Sequence, residues 1–281
     1  MARHYAIEVS SVHWPGDTSM ALCLATSLVE RRGFDAADQM RRYRAWLEDG
    51  YLSSTGRCFD IGATTADALE RFRASGDPWS GSADPRTAGN GSLMRLAPVA
   101  LFFHPDREQV LHYAAESSRT THAAPQCLAA CRLMAELLHR ALNGVDKQQL
   151  LFGDVAGLEA AVAGTASAGP AGAGPTGAHD EPLLSIARGE YRDKREPDIR
   201  SDGYVVHTLE AALWCFYRTD SFEAAILAAA NLGHDADTTA AVCGQVAGAF
   251  YGEPGIPRRW LLRLAMREEI EALADRLAPS R

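Results

Sequence analysis

The stretch Asn231-Leu232-Gly233-His234-Asp235-Ala236-Asp237-Thr238-Thr239 runs directly into 240–252, a segment that carries almost nothing polar. Two carboxylates and a hydroxyl, within the four positions 235–238, therefore crowd the mouth of what the pattern predicts to be a buried helix. One acid satisfies the unpaired first-turn N–H groups as an N-cap. A second acid two positions on has to be neutralised by something else, because an unpaired carboxylate at the edge of an apolar helix is costly to desolvate. Whatever fold the chain adopts must bring a partner to this point. The partner is either a further set of caps or a hard divalent cation, which oxygen-only donors suit. Spacing alone leaves both readings open.

A second segment opens in the same way. Asp17-Thr18-Ser19-Met20 leads into an apolar middle and ends on Glu30-Arg31-Arg32-Gly33, so acid and hydroxyls stand at the start, basic residues in the last turn and Gly just beyond. These are helix start and stop signals. Helical periodicity predicts further helices at 36–47, 64–73, 91–103, 106–117, from Pro125 to the Asn143-Gly144 stop, 206–216, 221–231, 236–251 and 257–276. A short strand is predicted at 5–9. No clear run of alternating strands follows, and the expectation is a single all-α domain over 1–281. Residues 160–180 are rich in Gly, Ala and Pro, cannot bury enough apolar surface to offset their ordering entropy, and are expected to form a mobile surface loop.

Between the two acidic openings lies Ala88-Gly89-Asn90-Gly91-Ser92-Leu93-Met94-Arg95. Glycines let backbone N–H groups approach an anion closely, and a helix start just after them favours negative charge, so the stretch suits a diphosphate. It has neither the Gly-Lys-Ser/Thr ending of a P-loop nor the Gly-x-Gly-x-x-Gly pattern of a dinucleotide fold. By itself it reads equally as a plain turn. His122 at a helix entrance and Tyr204 ahead of another helix each read as a cap or anchor on one side and as a ligand contact on the other. Asp60, in Phe59-Asp60-Ile61-Gly62, is an Asx turn or a substrate contact.

Composition narrows the classes. With 281 residues and 47% hydrophobic content the chain can bury one large core. A net charge of −8 argues against a general nucleic-acid binder. Of the six cysteines none forms a Cys-x-x-Cys pair; Cys127 and Cys131, one helical turn apart, read as core thiols, and a reducing cytoplasm is the expected setting. No apolar run reaches the roughly 18–20 residues that span a bilayer, and the first residues lead into no signal-peptide core.

Taken together, Gly233-His234-Asp235-Ala236-Asp237-Thr238-Thr239 with Gly244-Gln245 and 248–252, the Gly89-Asn90-Gly91 stretch, Thr121-His122 and Gly203-Tyr204-Val205-Val206 resemble the ADP-ribosylglycohydrolases of the dinitrogenase-reductase-activating type. The resemblance runs discontinuously from Trp14 to about Trp260, with its motifs in family order. It implies a compact orthogonal bundle of helices and hydrolysis of the glycosidic bond of an ADP-ribosyl group. It further implies Asp17, Asp235, Asp237 and Thr238 as ligands of a dinuclear Mg2+ or Mn2+ site, and Asp235 or Asp237 as the proton-transferring carboxylate. Asn90, Gly91, Ser92, Met94, His122, Tyr204 and Asp60 become substrate contacts. The implied partner is an ADP-ribosylated protein or small acceptor, met by a monomer with no membrane attachment.

The match departs from the family at the first acidic opening. Members usually read Thr-Asp-Asp-Thr where this chain has Pro15-Gly16-Asp17-Thr18, so only Asp17 carries over as a ligand, and the family's usual amino-terminal helix has no counterpart before Trp14. A second expectation follows, namely an ADP-ribose-binding protein of the same fold with impaired turnover. A third class, the aspartyl-phosphate phosphatases, shares Asp-x-Asp-x-Thr at Asp235, Asp237 and Thr239. That motif must follow a buried strand, whereas 223–230 reads as helix.

Overall fold

The computed structural model describes residue 14, residues 16–164 and residues 180–278. Its architecture is organised around α6 (Pro125–Leu142), which opens on a proline in its first turn, where the missing N–H costs nothing. Cys127, Ala130, Cys131, Met134, Leu137, Leu138 and Ala141 recur at three- and four-residue spacing and are all buried. The helix is buried on most sides, packing on α5 (Arg107–Arg119), α7 (Val155–Ala163), α9 (Val205–Tyr217) and α11 (Ala236–Tyr251). Asn143 stops it, its side-chain amide donating to the His139 carbonyl at 2.9 Å. Truncating a fully buried contact such as Leu133 to Ala would cost about 2–5 kcal/mol.

Around this axis α1 (Gly16–Arg31) packs on α2 (Ala36–Asp49), α4 (Ala97–Phe103), α11 and α13 (Arg267–Leu277). The α1–α2 pair is tied by Asp38, which receives Arg31 Nη2 at 2.7 Å and Arg42 Nε at 2.6 Å. Burial pushes this carboxyl up, but the two guanidinium hydrogen bonds more than offset it and hold it well below the usual carboxylate range. The remaining α-helices are α3 (Ala63–Ser75), α8 (Glu181–Ala187), α10 (Phe222–Ala230) and the four-residue α12 (Arg258–Leu261). Among the described residues there is no sheet; isolated bridges join Ser82 to His122 and Gly89 to Tyr204.

Three expectations are corrected and three features fall outside what is described. The helix predicted over 91–103 begins only at Ala97: residues 91–95 form a turn, because Pro98 starts the helix and Arg95 folds back onto the Gly91 carbonyl. The helix predicted over 257–276 is two helices, separated at Met266, which takes a left-handed φ of 48°. The low-complexity segment is helical as far as Ala163; residues 165–179, with most of the expected mobile loop, lie outside the described residues, as do the strand predicted at 5–9 and Pro15. Residues 222–230 form α10, so no strand precedes Asp235. Cys127 and Cys131 are buried free thiols. No helix among the described residues is long and apolar enough to cross a membrane.

Candidate functional site

Asp235 stands at the N-cap of α11, yet its side chain makes no cap hydrogen bond. Its backbone does the capping, with the Asp235 carbonyl accepting from Thr239 N at 3.1 Å and Thr239 Oγ1 at 2.9 Å. The carboxylate is turned away from its helix and accepts Asn90 Nδ2 at 2.6 Å; the same amide donates to Thr208 Oγ1 at 2.9 Å. The acid therefore serves a neighbouring element, and the elaborate-capping reading loses Asp235. Residues 145 apart in sequence are joined at this one bond.

The other acids gather at the same place. Asp17, in the first turn of α1, is 5% exposed, and its Oδ1 is buried with no hydrogen-bond partner. Burial, together with the charges of Asp237 and Asp235, pushes its carboxyl up to about 7, against the lowering effect of its own backbone N–H and of the Thr238 hydroxyl. Asp60 is raised by partial burial and by its contact with Asp237, the two carboxyls lying within hydrogen-bonding reach. It holds a left-handed φ of 57° on an exposed loop. That loop closes on the start of α1 because position 16 is glycine: a Cβ there would stand 3.0 Å from both the Asp60 carbonyl and the Trp46 ring.

The 89–92 turn adjoins these acids. Asn90 N donates to the Gly203 carbonyl at 3.1 Å and Val205 N to the Ala88 carbonyl at 3.0 Å, so the turn is sewn to the start of α9. The N–H groups of Gly91 and Ser92 donate to no group among the described residues, leaving two adjacent amides for an anion. His122 lies beneath the turn: a Cβ on Gly91 would meet its Cε1 at 2.8 Å, which is why that position has to be glycine. The imidazole is 2% exposed, and burial, helped by the Arg95 charge, lowers it to about 3, so it is neutral at physiological pH. Its Nδ1 pairs with Thr121 Oγ1 at 2.8 Å. Ser92 is likewise enclosed, accepting from Ser118 Oγ at 2.8 Å. Tyr204 is half-buried, its hydroxyl donating to Gln126 Oε1 at 2.7 Å.

The sequence-predicted residues Asp17, Asp60, Asp235, Asp237, Thr238 and Asn90 are thus brought together, with Gly91, Ser92, Met94, His122 and Tyr204 in or beside the adjoining turn. Three further residues shape the site. Gln245 on α11 donates to the Leu93 and Met94 carbonyls at 3.1 and 2.8 Å and accepts Ala97 N at 2.7 Å, lacing the turn to the helix that carries the acids. Thr208 fixes the Asn90 amide. Arg95, fully buried, donates to the Gly91 carbonyl at 3.3 Å. A lone polar residue in an apolar run, such as Arg95 before Leu96 or Gln245 inside α11, was the signal available in the sequence.

The donor chemistry fits a hard dication. Asp17, Asp235, Asp237 and Thr238 offer oxygens only, and the buried, unpartnered Asp17 Oδ1 is the kind of atom a cation satisfies. Among the described residues no three His, Cys, Asp or Glu side chains already close on one point.

A family model described as ADP-ribosylglycohydrolase matches residues 3–281. An ADP-ribosylarginine hydrolase Tri1 of Serratia proteamaculans is 39% identical over 94% of this chain and 66% of its own length, and that of Pseudomonas putida 42% over the same shares. The chain thus spans just under two thirds of these relatives. An ADP-ribosyl-dinitrogen reductase glycohydrolase of Rhodospirillum rubrum is 29% identical over 91% of this chain and 74% of its own. A solved structure titled ADP-ribosylglycohydrolase-related protein complex superposes with a TM-score of 0.75 at 42% identity, covering 94% of this chain and 80% of that one.

Proposed function

Because the chain belongs to the ADP-ribosylglycohydrolase family, we propose that it is a hydrolase that cleaves the glycosidic bond of an ADP-ribosyl group and releases ADP-ribose. The observation that supports this reading is the 2.6 Å bond from Asn90 to Asp235, which ties the 89–92 turn to the acid cluster. The diphosphate would take the unused amides of Gly91 and Ser92, and the distal ribose would extend over the acids.

Asp17, Asp235, Asp237 and Thr238 would hold Mg2+ or Mn2+. When bound, such ions supply Lewis-acid polarisation and lower the pKa of a coordinated water. The protein's own contribution is positional and protolytic. Asp235 is oriented by Asn90, and Asp235 or Asp237 accepts the proton of the attacking water. His122, neutral under the turn, keeps Gly91 and its amide in place without adding a titrating charge. The names of two relatives point to an ADP-ribosylated arginine as the linkage cleaved. Incubation with arginine- and serine-linked ADP-ribose conjugates plus Mg2+ or Mn2+ tests the reading: free ADP-ribose is expected, and its absence from every conjugate retires the enzymatic claim.

One observation favours a second reading, an ADP-ribose-binding protein with impaired turnover. Gly16 replaces a family acid and has no room for a side chain against Asp60 and Trp46, so no carboxylate can be supplied from there. Metal titration separates the two: a competent site takes two ions, an impaired one takes one or none.

A further inference from the structure

Arg95 is a fully buried guanidinium that meets no acid. Its Nη1 donates to the Gly91 carbonyl at 3.3 Å, and its Nη2 to the Ser117 carbonyl, Thr120 Oγ1 and Thr121 Oγ1 at 3.2, 3.2 and 2.8 Å. Its carbon lies 4.6 Å from the centre of the Tyr43 ring, while its Nε is buried with no partner. Every one of these partners is neutral, and no ion pair among the described residues includes it. A guanidinium does not shed its proton in a protein, and a buried charge left uncompensated is expensive. Folding has nonetheless placed one directly behind the 89–92 turn.

We propose that Arg95 is the positioning residue that sets the anion affinity of this turn: a fixed positive charge inside the protein that a bound diphosphate, and no side chain, neutralises. This rests on the reading of the turn as the diphosphate cradle. The coupling has a covalent route. The Gly91 carbonyl belongs to the same peptide unit as the Ser92 N–H, one of the two amides without an acceptor. A guanidinium hydrogen bond on the carbonyl polarises that unit and makes its N–H a stronger donor, the more so in a low-dielectric surrounding. The same charge acts on His122 and Cys131, helping to hold the imidazole under Gly91 neutral. Arg95 is thereby left as the single cation behind the turn among the groups that contact it.

The test measures binding of ADP-ribose and of uncharged adenosine to the wild type, Arg95→Met and Arg95→Lys. A charge-assisted hydrogen bond of this kind corresponds to about 10- to 100-fold in affinity. Arg95→Met is expected to lose about that factor for ADP-ribose and less than about threefold for adenosine, while Arg95→Lys, which loses the planar fork and gives up its proton more readily when buried, recovers only part of the loss. Equal weakening for both ligands assigns Arg95 to packing alone and overturns the proposal. If the variants do not fold, the wild type still decides. A buried charge is screened little, so its preference for ADP-ribose over adenosine should persist between about 0.05 and about 0.5 M salt, and collapse of that preference also overturns it. A wild type that binds neither ligand sinks the cradle reading instead.

Discussion

Replacing Asp17 by Asn should make the metal-free protein more stable and the metal-loaded site useless. In the folded chain the Asp17 carboxyl is pushed up to about 7 from an ordinary 3.8, chiefly by burial and then by the neighbouring acids. Between these two values the folded state holds a proton that the unfolded state has released. Stability therefore falls by about 1.4 kcal/mol per pH unit as pH rises through this window, and the full penalty, about 4 kcal/mol, stands above it. Asparagine carries no such penalty but must place its amide against Thr238 and Asp237, so a net gain of about 2–3 kcal/mol at pH 7.5 is expected in chelator. For a chain of this size that is about 3–5 °C in Tm. Thermal unfolding in EDTA from pH 4 to 8 should show the curves of the two proteins meeting near pH 4 and separating until about pH 7. Millimolar Mg2+ or Mn2+ should reverse the order, stabilising the wild type alone. An Asn variant less stable than wild type in chelator at pH 7.5, or an equal metal response in both, refutes the electrostatic account of this site.

Gln245→Ala removes three hydrogen bonds between α11 and the turn, and is expected to cost about 1–3 kcal/mol and to weaken ADP-ribose binding while leaving Mn2+ binding intact, as read by calorimetry on both ligands. Gly91→Ala drives a methyl into His122, and a rise of at least about tenfold in the Kd for ADP-ribose should accompany an unchanged helical circular dichroism signal. His122, lowered from 6.5 to about 3, binds its proton more weakly folded than unfolded, so its contribution to stability is complete above 6.5 and is lost as pH falls. About 2 kcal/mol should be gone by pH 5, and His122→Gln should flatten the slope between pH 6.5 and 5 in urea titrations.

The acid cluster was legible because its physics is local. Two carboxylates at the head of an apolar helix have to be answered, and Asp17 opened a second helix with the same demand. Helix bounds at Pro125 and Asn143 followed from start and stop signals confined to a few residues. What the sequence hid is set by contacts between distant elements. Asp235 looks like an N-cap until Asn90, 145 positions earlier, takes its carboxylate. The break at Met266 carries no glycine or proline to announce it, and the turn at 91–95 keeps helical spacing while Arg95 and Gln245 hold it open. The roles of Arg95, Gln245 and Thr208 depend on which carbonyls and amides lie beside them, and periodicity does not encode that.

The most direct measurement is release of free ADP-ribose from an arginine-linked ADP-ribosyl conjugate, followed with Mg2+, with EDTA and with the Asp235→Asn variant. Release is expected with Mg2+, at least about a hundredfold less with EDTA, and a comparable loss in the variant. Release that is indifferent to EDTA or to Asp235→Asn would contradict the proposed function.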